Sequence, residues 1–224
     1  MTVAAEGRRG WLQPKNFSQS RGTERFLEVA PYLRGEAVLD IGAATGRTHE
    51  RIRAVARRAV GIDIDPQLVE RARAEGFDVR VADAEDFDLG ERFDVVWAGE
   101  VIEHLSNPAG FLVSARRHVD SDGRLILTTP NVFAVSNFVY RVGPNVRFHT
   151  EHMAWYCERT LAQLLARHGW QVEELRYLPH HTPGTVRRLA AKAVRLPLPD
   201  RIARNTLLVV ARPATAPEPG TESA

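Results

Sequence analysis

Residues Ala37–Ile41 form a short apolar run that leads directly into Gly42-Ala43-Ala44-Thr45-Gly46, and a helical pattern follows from Arg47. A run this short and this uniformly apolar reads as a strand buried on both faces. Such strands belong to parallel sheets covered by helices. The small residues after the strand let the backbone approach a ligand closely, and glycine adopts left-handed dihedrals at little steric cost. Free N–H groups at the start of the next helix then face whatever rests on the turn.

The same alternation continues along the chain. Further strands are predicted at Ala59–Asp63, Asp78–Ala82, Phe93–Ala98, Arg124–Thr129, Trp170–Tyr177 and Thr206–Ala211. Helices are predicted at Arg47–Arg57, from Asp65-Pro66 to Gly76, from Asn107-Pro108 to Val119, and at Glu158–His168, closed by Gly169. Asp65 and Asn107 are capping residues followed by proline at the first helical position. Asp122-Gly123 reads as a turn between the helix ending at Val119 and the next strand. Strands alternating with helices predict an α/β fold with a doubly wound, mainly parallel sheet. At 224 residues, one domain over 11–212 is expected, with a flexible N-terminus at 1–10 and a disordered tail at 213–224.

Composition narrows the setting. A lone Cys157 excludes an intrachain disulfide, and no run approaches the roughly 18 apolar residues of a membrane-spanning helix. The first 25 residues lack the apolar core of a signal peptide, so a cytoplasmic protein with no membrane span is expected. Net charge is +2, unevenly spread: Asp63–Glu103 holds 13 acids and 4 bases, whereas Arg187–Arg204 holds 6 bases and one acid. That basic stretch reads as a solvated helix face, or as a patch for an acidic substrate, a membrane surface or nucleic acid. No aromatics alternate with those bases and the total charge is near neutral, so nucleic acid is disfavoured as a partner. A small-molecule acceptor is expected instead, while monomer and homodimer both stay open.

In doubly wound sheets, ligands sit beyond the carboxyl ends of the strands, where strand order reverses. Asp63 ends the second strand, 17 residues after Gly46, where a carboxylate can accept hydrogen bonds from a ribose diol. The third strand ends in Val81-Ala82-Asp83-Ala84-Glu85, which offers a carboxylate and a backbone N–H to an adenine ring. The glycine turn and Asp63 also suit an NAD-dependent oxidoreductase. That class predicts Gly-x-Gly-x-x-Gly, which Gly42-Ala-Ala-Thr-Gly46 fits poorly.

Four motifs taken together resemble the class I S-adenosylmethionine-dependent methyltransferases over about residues 20–177. They are Val38-Leu-Asp40-Ile-Gly42 with Gly46, Gly61-Ile-Asp63-Ile-Asp65-Pro66, Ala82-Asp83-Ala84, and Phe93-Asp-Val-Val-Trp-Ala-Gly-Glu100-Val-Ile-Glu103-His104. The resemblance implies a Rossmann-like, doubly wound, seven-stranded, mostly parallel sheet with an antiparallel last strand. It implies S-adenosylmethionine as cofactor, with Gly42 and Gly46 facing its methionine part, Asp63 the ribose, and Asp83 with Ala84 the adenine. Asp40 would support the glycine loop, and Ala43, Ala44, Ile64 and Glu100 complete the cofactor-binding set. Many members carry glycine where this chain has Ala44, whose methyl group is tolerable if the local dihedrals are ordinary. A non-catalytic S-adenosylmethionine-binding protein is a further reading of the same motifs.

The fourth strand leads into Glu100-Val-Ile-Glu103-His104. On a helical turn these three polar residues share one face, which suits a divalent cation (Mg or Zn) or acid–base work. The other reading places Glu100 at the cofactor, with Glu103 and His104 orienting the loop. Glu-x-x-Glu-His resembles ubiquinone-biosynthesis O-methyltransferases and small-RNA 2′-O-methyltransferases, in which these residues bind a divalent metal. The RNA enzymes add a later histidine, and His149-Thr-Glu-His152 stands in a comparable place here. The metal candidates are therefore Glu100, Glu103, His104 and His152. The candidates for general base are His104, His149 and His152. Phe133, Phe138, Tyr140 and Phe148 read as a lid over an apolar acceptor or as helix packing on the sheet. The segment Trp11–Arg25, with Phe17 and Arg21, is a candidate cover for the cofactor, and His180–Arg204 a candidate pocket wall or partner surface. Together these features predict transfer of a methyl group to a hydroxyl of a small metabolite, with an RNA 2′-hydroxyl or a nitrogen as the alternative acceptor.

Overall fold

The computed structural model describes residues 19–44, 47–135, 151–178 and 199–215. Thr45, Gly46, His149, Phe17, Phe138, Tyr140, Phe148 and the bases Arg187–Arg195 lie outside them, as does the side chain of Arg21. The described residues form α1 (Gln19–Leu33), β1 (Ala37–Ile41), α2 (Arg47–Val55), β2 (Arg58–Asp63), α3 (Pro66–Ala74), β3 (Val79–Val81) and β4 (Phe93–Gly99). A 3₁₀ turn at Ile102–His104 follows, then α4 (Pro108–His118), β5 (Val119–Pro130), α5 (Glu158–Arg167), β6 (Trp170–Leu178), α6 (Asp200–Ala203) and β7 (Thr206–Pro213). No helix among the described residues is long and apolar enough to cross a membrane.

The strands form one seven-stranded sheet in the order β3-β2-β1-β4-β5-β7-β6. The first five pair in parallel, and β7 runs antiparallel to both β5 and β6. All five β1 residues are buried, as expected for a central strand covered on both faces. One side packs Leu39, Ile62, Val96 and Leu125 against α4 and α5 through Phe111, Leu112 and Leu165. The other packs Val38, Val95, Trp97 and Ile126 against Phe26, Val29 and Leu33 of α1 and Ile52 of α2. Strand order reverses between β1 and β4, so the crevice for a ligand opens at their carboxyl ends.

Local chemistry sets several boundaries. The Asp65 side chain accepts from the Gln67 N–H at 2.8 Å, with Pro66 at the first helical position of α3. Asn107 does the same for α4 through the Gly110 N–H at 3.0 Å. The expected turn at Asp122-Gly123 is instead an irregularity inside β5. Phe93 pairs with Val119 and Val95 with Arg124, so the extra residues bulge out of the ladder. A Cβ on Gly123 would lie 2.7 Å from the Asp94 carbonyl oxygen, so glycine lets the bulge sit against β4. The last strand runs through Pro213, beyond the expected Ala211, and the Ala214 N–H bonds the Gly169 carbonyl at 2.8 Å.

Candidate active site

The first half of the site gathers at the ends of β1, β2 and β3. Gly42 and Ala43 donate their N–H groups to the Ile62 carbonyl at 2.9 and 3.0 Å, which folds the loop back over β2. Gly42 has φ +73°, and Ala44 has φ +47°. The ordinary dihedrals that would make the Ala44 methyl group tolerable are therefore not met. The residue is left-handed, at a steric cost of about 1–2 kcal/mol that glycine would avoid. Asp63 holds this conformation: its two carboxylate oxygens accept from the N–H groups of Ala44 (2.8 Å) and Asp65 (2.9 Å). Each oxygen keeps a lone pair for a further donor, so the carboxylate is oriented before a ligand arrives.

Beside it lies an apolar ledge. Ile64 is 60% exposed and Val81 49% exposed, at the ends of adjacent strands. Asp83 is exposed and bends back on its own chain, with Oδ1 accepting from the Glu85 N–H at 2.9 Å. Ala84 is half-buried against the core. An apolar shelf flanked by carboxylates has the shape and chemistry for a ring carrying a ribose. Asp40, Ile41, Gly42, Gly99 and Thr128 line a pocket beneath the loop, closed on the α1 side by Arg25 and Phe26. Arg25 is the last residue of the segment Trp11–Arg25 expected to cover the cofactor.

The second half lies beyond β4 and β5. Glu100 is left-handed, with φ +58°, and its N–H is fixed by the Thr128 carbonyl at 2.9 Å. A 3₁₀ turn follows, so the expected helical turn carrying Glu100, Glu103 and His104 on one face does not form. Glu100 instead pairs with Arg25 (2.5 Å), while its Oε1 is buried without a hydrogen-bond partner among the described residues. Glu103 points inward and is only 1% exposed. Its Oε2 accepts from the Thr129 hydroxyl at 2.9 Å, and its Oε1 is buried and unpaired among the described residues. Burial, and secondarily the Glu100 charge, push its carboxyl up to about 8.

The loop before α5 is sewn onto this turn. The Glu103 carbonyl accepts from the N–H groups of Met153 (2.7 Å) and Ala154 (3.1 Å), which places His152 beside His104. The two imidazoles meet edge to face, 4.8 Å between centroids. His104 Nδ1 lies 3.0 Å from the Glu151 carbonyl oxygen. Glu103, His104 and His152 bring one potential ligand atom each within 4.8 Å of one another. Glu100 stands outside that group.

Two imidazoles and a carboxylate are a donor set for a first-row divalent ion, and a ring nitrogen held by a backbone carbonyl is the usual support of a ligating histidine. Ligand atoms around a tetrahedral ion sit roughly 3.4 Å apart for bonds of ~2.1 Å, so these side chains fit after a modest closure. Thr129, which steadies Glu103, and Tyr156, buried nearby with its hydroxyl pKa raised by burial and by Glu103, were not legible in the sequence. Neither belongs to a local motif, and only the sheet brings them here.

The profile of a family described as a methyltransferase domain matches residues 16–175. The ubiquinone biosynthesis O-methyltransferase of Thiobacillus denitrificans is 26% identical over 181 residues, covering 75% of this chain and 78% of that protein. Among solved structures, an S-adenosylmethionine-dependent methyltransferase from Mesorhizobium loti superposes with a TM-score of 0.61 at 18% identity, covering 85% of this chain and 97% of that one. The cyclase SpnF superposes with a TM-score of 0.65, also at 18% identity, covering 92% and 87%. At such identities the structures speak for the fold, and a cyclase among them shows that the fold alone does not choose the reaction.

Proposed function

This chain belongs to the class I S-adenosylmethionine-dependent methyltransferases, and from that premise we propose that it methylates a hydroxyl of a small metabolite: a sugar, phenol or natural-product intermediate. The observation that carries the proposal is the Glu103–His104–His152 group beside the Glu100 end of β4. S-adenosylmethionine supplies an electrophilic methyl group, so the protein's task on the acceptor side is to take a proton and orient an oxygen. Imidazoles titrate near neutrality and suit that task. The name of the Thiobacillus relative, an O-methyltransferase, supports an oxygen acceptor.

Asp63 orients the donor's ribose, Ile64 and Ala84 with Asp83 border its adenine, and Gly42, Ala43, Ala44 and Gly46 carry its methionine part. Asp40 lines the same pocket, and Glu100 reaches its edge through Arg25. His104 and His152 receive the acceptor proton. Glu103, largely protonated at neutral pH, fixes the loop through Thr129. A divalent cation held by Glu103, His104 and His152 would lower the pKa of an acceptor hydroxyl. The donor set favours a zinc-like ion over magnesium.

The test is release of S-adenosylhomocysteine with a panel of sugars and phenols, an amine panel and short RNAs. The proposal expects turnover with a hydroxylated small molecule, lowered by about a hundredfold or more in kcat in His104→Ala/His152→Ala, with donor affinity retained. Methylation confined to RNA or amines would overturn it. Loss of activity with chelator and recovery with zinc or manganese would establish the cation. Full activity after chelation assigns the step to the histidines alone.

A further inference from the structure

We propose that His49 is a positioning residue of the donor site, holding the Asp40 carboxylate against the pocket and clamping the two ends of the glycine loop. The inference rests on S-adenosylmethionine as the donor. His49 lies near the start of α2 and Asp40 near the end of β1, on either side of the loop. Both are buried, at 0% and 2% exposure, and His49 Nδ1 lies 3.2 Å from Asp40 Oδ2. This link joins the strand that enters the loop to the helix that leaves it. Asp40 itself lines the pocket together with Gly42 and with Thr48, the neighbour of His49.

The surroundings fix which ring nitrogen faces Asp40. The Phe77 ring and the imidazole meet edge to face, 5.8 Å between centroids, and His49 Nε2 is buried without a hydrogen-bond partner among the described residues. An ionised carboxylate can only accept, so the imidazole donates from Nδ1 to Asp40. Burial raises the Asp40 carboxyl, the His49 hydrogen bond and charge oppose that, and the nearby Asp63 charge adds to the rise. Without the imidazole donor, Asp40 would take a proton or turn away from the pocket.

The position is prepared for this ring. A Cβ on Gly61 of β2 would lie 3.2 Å from His49 Nδ1 and 2.7 Å from the Ala43 Cβ, so the glycine makes room for the imidazole and the loop together. A residue needed only to fill space would be replaceable by phenylalanine. A residue needed for its Nδ1–H would be replaceable by asparagine, whose amide nitrogen sits near the Nδ1 position, and less well by glutamine, whose nitrogen reaches further.

The experiment measures S-adenosylhomocysteine affinity by titration calorimetry, together with the KM for S-adenosylmethionine and the melting temperature, in wild type and in His49→Phe, His49→Asn and His49→Gln. His49→Phe is expected to raise Kd and KM about tenfold, with the change in KM exceeding that in kcat. His49→Asn should recover most of the affinity, and His49→Gln less. If His49→Phe fails to fold, the asparagine and glutamine variants decide the matter. Wild-type affinity in His49→Phe, or equal weakening in the asparagine and glutamine variants, would overturn the proposal. A wild-type protein that binds neither ligand would instead overturn the donor site.

Discussion

The donor half and the acceptor half of the site are built in opposite ways. On the donor side, the main-chain N–H groups of Gly42, Ala43, Ala44 and Asp65 donate to the Ile62 carbonyl and the Asp63 carboxylate, and each residue stands at or just after a strand end. On the acceptor side, Glu103, Thr129 and His152 come from three separate stretches, and buried Glu100 and Glu103 oxygens are left without hydrogen-bond partners among the described residues. The main-chain N–H groups of the glycine-loop corner are bonded before any ligand arrives. Unsatisfied buried oxygens and the left-handed Glu100 are strain that a surface loop would have shed.

The largest test of this contrast is Asp63→Ala. It removes the acceptor for the Ala44 and Asp65 N–H groups and, on the proposed reading, for the donor's ribose, so donor Kd should weaken by about a hundredfold. Acceptor KM should change far less. A comparable loss on both sides would show that the halves are one cooperative unit.

A second variant probes the other half. The Glu103 carboxyl titrates near 8 in the fold against about 4.5 when exposed. Between those values the folded protein binds more protons than the unfolded chain, so its stability falls as pH rises from about 4.5 to about 8. Glu103→Gln removes that slope while keeping an acceptor for Thr129. Thermal melts should place the variant several degrees above wild type at pH 8, and the gap should shrink at pH 5. A pH-independent gap would place the acceptor half among ordinary packed structure.

The smallest expected effect sharpens the donor side. Ala44→Gly relieves the left-handed alanine, and glycine gives back part of that through its unfolded-state freedom, leaving a gain of about 1 kcal/mol or less. Melting and donor titration together would detect it. A loss of stability would mean that the Ala44 methyl group contributes packing that outweighs the strain.

Some of this was legible in the chain and some was not. β1 occupies the expected Ala37–Ile41, and the other strands start within one residue of expectation except β5, which begins at Val119. The exception is informative. Asp122-Gly123 has the composition of a turn, yet strand pairing with β4 absorbed it as a bulge. Likewise, Glu100-Val-Ile-Glu103-His104 has helical spacing, but the Thr128 carbonyl fixes Glu100 in a left-handed conformation and breaks the face apart. In both places a neighbouring strand overrode a local preference.

The sequence by itself determined the class of fold and which residues of the glycine turn and the terminal carboxylates stand at strand ends, because strand, turn, helix and carboxylate lie close together along the chain. Only the tertiary structure decided that Ala44 is left-handed, that Glu100 turns to Arg25, that His49 sits on Asp40, and that Glu103, His104 and His152 form one group. Those relations depend on which strands lie side by side and which loops are sewn across their ends. That is a property of sheet order and burial, and spacing along the chain carries no record of it.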